Sequence, residues 1–97
     1  MHARITSSLV QPVKLDELIH IFENVILPDA KAQPGFRGGF LLTDRETNKF
    51  LSISLWKAEA VVRTAENSEC YQEQTAKIAP MLAAAPDKEA YTVSVTA

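Results

Sequence analysis

Residues 34–57 read PGFRGGFLLTDRETNKFLSISLWK, and they decide the fold because they contain two strand patterns joined by a polar turn. The second pattern alternates between two faces, since successive side chains of a strand point to opposite sides of the sheet. One face is aliphatic and holds Leu51, Ile53 and Leu55. The other face has aromatic ends around hydroxyls and holds Phe50, Ser52, Ser54 and Trp56. We expect helices to cover the aliphatic face and the aromatic face to form the wall of a cavity.

The pairing register of this hairpin stays open at the level of the sequence. Pairing of Thr43 with Lys49 would place the apolar side chains of the first strand on the aromatic face of the second. Those side chains are Phe36, Phe40 and Leu42. A shift by one residue would move them to the aliphatic face. In either register both faces of the sheet carry apolar side chains, while the chain offers two helical regions to cover one of them. The second face therefore needs a partner.

The segments before the hairpin predict a strand and a helix. Residues 3–10 alternate as a first strand, and from Leu15 the apolar residues recur with the i, i+3, i+4, i+7 spacing of a buried helical stripe. Pro28 is expected to end or kink this helix, with a short extra turn through Ala32 left open. A turn follows, in which Gly35 supplies a positive φ.

The segments after the hairpin predict a second helical region and a closing strand. Residues 57–79 are rich in helix formers, and Asn67 and Ser68 interrupt them where a new helix can be capped. Beyond this break a buried stripe is expected at Tyr71, Thr75, Ile78, Ala79 and Leu82. Residues 90–96 alternate again as a fourth strand. The order β-α-β-β-α-β predicts an α+β, ferredoxin-like fold, in which an antiparallel sheet carries its helices on one face.

Length and composition limit the classes of protein. The chain fits a single domain, residues 1–97, and its 46% hydrophobic and 23% charged residues are ordinary for a globular protein. A net charge of −2 without a basic stripe argues against a nucleic-acid partner. Apolar runs stay far below the roughly 20 residues that span a bilayer, and a signal-peptide pattern is missing, so we expect no membrane partner. A single cysteine, Cys70, excludes an internal disulfide and favours a cytoplasmic location.

Two motifs carry a resemblance to a known family. The first is QPGFRG at residues 33–38, which follows a proline-interrupted helix, and the second is LSISLW at residues 51–56. Both are similar to motifs of the antibiotic biosynthesis monooxygenase (ABM) family. The resemblance covers nearly the whole chain. It implies a dimeric α/β barrel, a homodimer in which two ferredoxin-like sheets enclose a pocket between their helix-free faces. Some members are cofactor-independent monooxygenases of polycyclic aromatics, others degrade haem or oxidise quinols, and many have no assigned activity.

The functional residues of the family transfer to this chain only in part. Trp56 matches the tryptophan at the end of the third strand that lines the pocket in the aromatic-oxidising and haem-degrading branches. Ser52 stands where the oxidising branch has an asparagine, and Val62 stands where it has a tyrosine. The haem branch takes its axial histidine from the second helix. Residues 57–85 contain no histidine, so haem cleavage is disfavoured.

The remaining candidates each have a functional and a structural interpretation. Trp56 is either a pocket wall or interface packing, and Arg37 either steers an anionic substrate or is a solvated charge at a strand end. His20 lies off the buried helical stripe, which favours a solvated position over an acid–base role, and no second metal ligand accompanies it. Cys70 has no evident histidine partner, which favours a structural role over thiolate chemistry.

Together these features favour a cofactor-independent monooxygenase of a small electron-rich aromatic or quinol, acting with neither cofactor nor metal. The alternatives are a ligand-binding or sensory dimer of the same fold and a structural dimer without activity. The expected homodimer buries Phe40, Leu42, Phe50 and Trp56 at or near its interface. The candidates for lining a substrate pocket are Trp56, Ser52, Ser54, Phe50, Phe40 and Arg37, and the sequence assigns no catalytic residue.

Overall fold

The computed structural model describes the backbone of residues 1–97 and all side chains except that of Cys70, so the expected structural role of this cysteine lies outside the described residues. The described residues form a sheet of 4 antiparallel strands in the order β2-β3-β1-β4. The strands are β1 His2–Leu9, β2 Phe36–Asp44, β3 Lys49–Trp56 and β4 Asp87–Thr92. The helical segments are α1 Leu15–Ile21, a π-helical turn Phe22–Ile26, α2 Leu27–Lys31, α3 Glu59–Glu66, α4 Glu69–Ile78 and a 3₁₀ turn Ala79–Met81. This order confirms the predicted α+β, ferredoxin-like fold.

The first helical region runs through Pro28 and does not end there. A π-helical turn precedes the proline, and in it the N–H of Leu27 donates to the carbonyl of Phe22. Pro28 has no N–H to donate, and it stands near the start of α2, where the wider π turn has already shifted the hydrogen-bond ladder. The extra turn that the sequence left open is therefore present and extends to Lys31.

The second helical region is interrupted where the sequence predicts a break. Helix α3 ends at Glu66 and α4 begins at Glu69. Between them, Ser68 Oγ accepts a hydrogen bond from the backbone N–H of Tyr71 at 3.2 Å, which makes Ser68 the N-cap residue of α4. Within the described part of the chain, no helix combines the length and the apolar character that crossing a membrane requires.

The hairpin adopts the second of the two registers. Thr43 pairs with Phe50 and Asp44 pairs with Lys49, so the pairing of Thr43 with Lys49 is wrong by one residue. A shift of one residue exchanges the two faces of the first hairpin strand relative to the second. The apolar side chains of β2 therefore join the aliphatic row of β3 and not its aromatic face, with the exception of Phe36, which a bulge keeps opposite Trp56.

The loop of the hairpin explains this register. The Asp44 carboxylate accepts a hydrogen bond from the backbone N–H of Glu46 at 3.0 Å, and Asn48 adopts a positive φ of 57°. An Asx-type turn and a left-handed asparagine close a shorter loop than strand alternation alone suggests. Phe40 and Leu42 consequently lie on the face that carries the aliphatic row.

The helices cover the aromatic face of β3, so the expectation that they cover the aliphatic face is wrong. Phe50 is 5% exposed and belongs to a core cluster with Val10, Leu15, Leu18 and Met81. Trp56 is 7% exposed and packs with Val62 and Ala65 of α3. Alternation shows which side chains share a face but not which face the helices cover. The helices cover the face with the larger rings, because these rings fill the space between sheet and helices best. The aliphatic row stays on the helix-free face.

Strand β4 begins and ends earlier than predicted. It spans Asp87–Thr92 and not residues 90–96, and it runs antiparallel to β1 with His2 opposite Thr92. Because β1 begins at His2, the residues after Thr92 have almost no strand opposite them, although the N–H of Val93 still donates to the Met1 carbonyl at 3.0 Å. As an edge strand, β4 also carries charged residues where a central strand has apolar ones.

Candidate functional site

A cavity of about 710 Å³ lies between the aromatic face of the sheet and the helices. Strands β1 and β3 form its floor, the π-helical turn and helices α2, α3 and α4 contribute to its walls, and residues 82–86 run along its remaining side. Sites for small molecules typically measure about 300–1,000 Å³. The cavity therefore has room for a ligand with several fused rings.

One wall of the cavity is aromatic. Trp56 and Phe36 stand in a T-shaped arrangement with their ring centroids 5.2 Å apart. The bulge in β2 between Phe36 and Gly38 keeps Phe36 on the cavity side of the strand. The indole Nε1–H of Trp56 donates to Ser54 Oγ at 2.9 Å, which satisfies the buried donor and fixes the ring.

The floor of the cavity carries hydroxyl groups. Ser52 of β3 lies directly opposite Thr6 of β1, and Ser54 lies opposite Arg4. Directly opposed residues of an antiparallel pair place their side chains on the same face, with Cβ atoms about 4.5–5.5 Å apart. The hydroxyls of Ser52 and Thr6 can each donate and accept a hydrogen bond, so the floor offers polar contacts to a ligand beside its apolar wall.

An ion pair stands beside the aromatic wall, and the sequence analysis did not identify it. Arg4 Nη2 lies 2.7 Å from Glu66 Oε2, which joins β1 to α3, and both side chains line the cavity. These side chains are 28% and 23% exposed. Among the described residues, Arg4 Nε and Glu66 Oε1 are buried and have no hydrogen-bond partner. The pair thus retains one donor and one acceptor that the protein itself does not use.

The sequence contains part of the signal for this pair. Strand alternation puts Arg4 on the same side of β1 as Thr6, and this side faces the cavity. Glu66 lies 62 residues further along the chain, near the end of α3. Where a helix residue comes to rest over a sheet depends on the packing of the whole element, so no local pattern connects Glu66 to Arg4.

The helical wall is polar at Gln74 and Tyr71. Gln74 on α4 is 8% exposed, and its Nε2 donates a hydrogen bond to the carboxylate of Asp29 on α2. Tyr71 accepts a hydrogen bond from Lys88 Nζ at 3.3 Å, and the same ammonium group lies 5.6 Å from the centre of the Tyr71 ring. These contacts tie α4 to α2 and to strand β4 along the rim of the cavity.

The stripe predicted on α4 lies along the cavity, although Thr75 and Ala79 remain exposed where burial was expected. The most buried residue of this helix wall, Gln74, was missed because glutamine in a helix resembles a solvated position. Its burial becomes understandable from the structure, since a buried amide needs a hydrogen-bond partner and Asp29 provides one.

The cavity brings together four of the six candidates for a substrate pocket, namely Phe50, Ser52, Ser54 and Trp56. Phe40 and Arg37 lie elsewhere. Phe40 is 58% exposed on the helix-free face of the sheet because of the hairpin register. Arg37 is exposed in the bulge of β2 between Phe36 and Gly38. These two residues therefore lie outside this cavity.

A single chain forms the cavity. The family resemblance implied a pocket between the helix-free faces of two subunits, with Phe50 and Trp56 at or near the interface. This placement is wrong, because both rings pack toward the helices of their own chain. The helix-free face, which carries Phe40 and Leu42, lies on the other side of the sheet from the cavity.

Among the described side chains, the groups with perturbed pKa values belong to two pairs that lie outside the cavity. Arg45 donates a hydrogen bond to Asp16 Oδ1 at 2.6 Å, and this bond, helped by charge attraction, lowers the pKa of the Asp16 carboxyl. On β4 the hydroxyl of Tyr91 donates to the Glu89 carboxylate at 2.8 Å, which raises the pKa of Tyr91. Both pairs are on the surface, so these shifts do not indicate a reactive group in the cavity.

Across the described side chains, no group of three or more His, Cys, Asp or Glu residues is placed to hold a metal ion. His20 is exposed on α1, as the sequence predicts, and Asn24 Nδ2 donates to its backbone carbonyl at 2.9 Å.

The sequence matches no protein-family model and no curated protein. Solved structures do match it. A protein of Nitrosomonas europaea described as a candidate antibiotic biosynthesis monooxygenase has a TM-score of 0.86 at 14% identity, and the match covers 98% of this chain and 100% of that protein. SnoaB, a cofactor-independent oxygenase from Streptomyces nogalater, has a TM-score of 0.84 at 18% identity, and the match covers 98% of this chain and 94% of SnoaB. A second Nitrosomonas europaea protein, of unknown function, has a TM-score of 0.82 at 20% identity, and the match covers 99% of this chain and 91% of that protein.

These comparisons establish the fold. The chain has the α+β, ferredoxin-like architecture of antibiotic biosynthesis monooxygenase proteins over nearly its whole length. The resemblance carried by residues 33–38 and 51–56 is confirmed at this level. One fold can support several activities, so the chemistry of the cavity indicates the function more directly than the fold does.

Proposed function

We propose that this protein is a cofactor-independent monooxygenase that acts on a small electron-rich aromatic compound or quinol. The observation that carries the proposal is the cavity between sheet and helices, where the wall of Trp56 and Phe36 adjoins a floor of hydroxyl groups. An aromatic substrate stacks on such a wall, and hydroxyls hold its oxygen substituents. The fold shared with SnoaB, a cofactor-independent oxygenase, supports this assignment.

In such a reaction the substrate itself is the reductant. A deprotonated phenol or anthrone is electron-rich enough to transfer an electron to O₂. For an anthrone, the CH₂ carbon becomes a carbonyl carbon: one atom of O₂ stays on this carbon, and the other leaves as water with the two hydrogen atoms. The substrate supplies all the electrons, so the balance requires no external reductant.

The protein's contribution is to bind the substrate, orient it and exclude water. The cavity is lined mostly by apolar side chains, so a ring held against Trp56 and Phe36 is largely shielded from water. Exclusion of water strengthens the polar contacts that hold the substrate and protects a reactive intermediate from side reactions. Ser52 and Thr6, on the floor, hold a substrate oxygen by hydrogen bonds.

Oxygen uptake tests this function. We expect the protein to accelerate O₂ consumption in an oxygen electrode with anthrone or 1,4-naphthoquinol above the spontaneous rate of each compound in buffer. A thermal-shift panel with the same compounds under anaerobic conditions measures binding as a rise in melting temperature. Binding without oxygen uptake would replace the oxygenase with a ligand-binding or sensory module. Absence of both would favour a structural role.

The proposal includes a homodimer. The helix-free face exposes Phe40 at 58% and Leu42 at 49%, beside the aliphatic row of β3. A second copy of the chain, related by a twofold axis, covers this face with an identical one. Two sheets packed in this way form a dimeric α/β barrel, and each subunit keeps its own cavity on the helix side of its sheet.

A further inference from the structure

The Arg4–Glu66 ion pair is the feature of the cavity that packing explains least. Buried polar atoms are almost always hydrogen-bonded. In the part of the chain with described side chains, Arg4 Nε and Glu66 Oε1 are nevertheless buried and unpaired. Arg4 Nη2 and Glu66 Oε2 are 2.7 Å apart, so the two unused atoms belong to a paired donor group and acceptor group beside the cavity. This arrangement indicates that a third group completes the pair.

We propose that the Arg4–Glu66 pair recognises a hydroxyl group on an aromatic ring, with Glu66 accepting the hydrogen bond of the hydroxyl and Arg4 donating to its oxygen. The inference rests on the proposed function and deepens it, because it names the residues that recognise the hydroxyl group of the substrate. A hydroxyl is the smallest group that donates and accepts at one oxygen atom, which matches the unused pair. Arg4 Nε and Glu66 Oε1 are themselves buried in this conformation, but both side chains are partly exposed and line the cavity, so a small rotation of either side chain brings its unused atom to a ligand.

The position of the pair relative to the aromatic wall fits a single ligand. Arg4 lies directly opposite Ser54 in the ladder of β1 and β3, and Trp56 is the next residue on the same face of β3. Ser54 Oγ already accepts the indole N–H of Trp56, so part of its hydrogen-bonding capacity is used. A ring that stacks on Trp56 therefore brings its hydroxyl substituent next to Arg4 and Glu66.

The other charged groups along the cavity are engaged with protein partners. The Asp29 carboxylate accepts a hydrogen bond from Gln74, and Lys88 donates to the hydroxyl of Tyr71. Besides the atoms of the Arg4–Glu66 pair, the described side chains leave His2 Nε2 buried without a partner, and His2 is the neighbour of Arg4 on the same face of β1. The unused hydrogen-bonding capacity is thus concentrated at one end of the floor.

The pair also provides a route for the hydroxyl proton. The O–H bond breaks with its electron pair left on the ligand oxygen, the proton moves to the Glu66 carboxylate, and the resulting oxyanion pairs with the Arg4 guanidinium. The summed charge of the three groups is zero before and after this transfer, so no uncompensated charge is created in the cavity. The anion that forms is the electron-rich species that O₂ oxidises in the proposed reaction.

A matched pair of ligands tests the recognition. 2-Naphthol carries the hydroxyl, and 2-methoxynaphthalene has the same rings but no hydroxyl proton. Anaerobic calorimetric titration gives both affinities. We expect the wild-type protein to bind 2-naphthol at least about tenfold more tightly, the scale of a hydrogen bond to a charged group. Equal affinities would overturn the proposal, and this comparison needs no variant that must fold.

Variants then assign the discrimination to the pair. The double variant Arg4→Met with Glu66→Leu removes both charges together, which avoids leaving either one unpaired. We expect it to bind the two naphthalenes about equally, with 2-methoxynaphthalene affinity preserved. Glu59→Gln is the matched control, because Glu59 forms an exposed ion pair with Arg63 on the same helix, outside the cavity. Discrimination that survives in the double variant contradicts the assignment.

The variant Glu66→Gln isolates the proton step. Its amide oxygen still accepts a hydrogen bond but carries no charge, so 2-naphthol should bind more weakly than to the wild type and still more tightly than to the double variant. Oxygen uptake with anthrone should fall about 100-fold at saturating substrate, as expected for loss of a general base. Undiminished uptake would refute the role of Glu66 as base.

The oxygenase and the hydroxyl site can each be refuted without refuting the other. A wild-type protein that discriminates the naphthalenes but consumes no oxygen refutes the oxygenase and retains the hydroxyl site. A protein that oxidises anthrone but binds both naphthalenes equally refutes the hydroxyl site and retains the oxygenase.

Discussion

At the scale of single residues, Trp56 belongs to the core and to the cavity at once. Its ring packs with Val62 and Ala65 of α3 and also lines the cavity. We predict that Trp56→Ala lowers the free energy of unfolding by about 3–5 kcal/mol, the usual cost of truncating a large core ring. We also predict weaker binding of aromatic ligands and slower oxygen uptake. Urea unfolding and calorimetric titration measure the two effects separately.

Trp56→Phe is the matched control for this prediction. It keeps an aromatic ring in the wall and removes the indole N–H that Ser54 accepts, so it should retain more ligand affinity than Trp56→Ala. If Trp56→Ala binds ligand and consumes oxygen as the wild type does and only melts earlier, Trp56 is a packing residue and its assignment to the pocket is wrong.

The two serines on the floor should respond differently to replacement by alanine. Ser54→Ala removes the acceptor of the Trp56 indole and leaves a buried donor unsatisfied, which should cost about 1–3 kcal/mol of stability. Ser52→Ala should leave stability nearly unchanged and weaken binding of a hydroxylated aromatic by about 1 kcal/mol, the scale of one neutral hydrogen bond. Equal unfolding free energies for the two variants would contradict the structural role of Ser54.

Strand alternation was enough to place Phe50, Ser52, Ser54 and Trp56 on one face, because the side-chain period of a strand is fixed by its backbone. Alternation was not enough for Arg4 and Glu66. Their contact spans 62 residues and depends on how α3 lies over the sheet, which is a property of the packed molecule. Local sequence patterns therefore could not predict the charged pair of the candidate site.

At the scale of elements, the turn between α2 and β2 is bonded to the segment that leads from β3 into α3. Gly35 has a φ of 84°, and its carbonyl accepts the N–H of Lys57 at 2.7 Å. A Cβ atom at this position would lie 2.9 Å from Val61 Cγ1. We predict that Gly35→Ala lowers the free energy of unfolding by about 1–3 kcal/mol, because a side chain is strained at this φ and also meets Val61. Chemical denaturation measures the change.

A double variant separates the two causes. Adding Val61→Ala to Gly35→Ala removes the contact but not the backbone strain. We therefore expect Gly35→Ala to lower the free energy of unfolding by less in the Val61→Ala background than in the wild type, but still to lower it. A Gly35→Ala protein as stable as the wild type would show that the turn tolerates a side chain and would contradict the strain argument.

The positive φ of Gly35 was predictable from its place in a Pro-Gly turn, and the N-cap at Ser68 was predictable in the same way. The hairpin register was not, because it depends on the side chain of Asp44 and the left-handed conformation of Asn48. The passage of the helix through Pro28 was also hard to foresee, since a π-helical turn has no simple pattern in the sequence.

At the scale of the whole molecule, the order of strands and helices was sufficient to predict the fold class, because few topologies accommodate β-α-β-β-α-β. The order does not determine which face of the sheet the helices cover. Both faces are apolar along β3, so the choice depends on volume: the rings of Phe50 and Trp56 fill the space under the helices. The cavity was consequently expected on the wrong side of the sheet.

The same assignment of faces leads to a prediction about assembly. We expect the wild-type protein to be a dimer of twice the 10.7 kDa chain mass by light scattering coupled to size exclusion at low micromolar concentration. Phe40→Lys puts a charge at an apolar position that is 58% exposed in the isolated chain. Since a phenyl ring contributes about 1.5–3 kcal/mol on burial and a buried ammonium adds a further cost, the dimer dissociation constant should rise at least about 100-fold.

Thr47→Lys is the matched control, because it introduces the same charge in the exposed hairpin loop, away from the helix-free face. It should remain dimeric. Phe40→Lys should also keep the cavity intact, since the sheet separates Phe40 from Trp56, and its monomer should therefore still bind 2-naphthol. A wild-type protein that elutes as a 10.7 kDa monomer, or a Phe40→Lys variant that stays dimeric, contradicts pairing through this face. Loss of ligand binding in a folded Phe40→Lys monomer would instead show that the cavity depends on the second subunit.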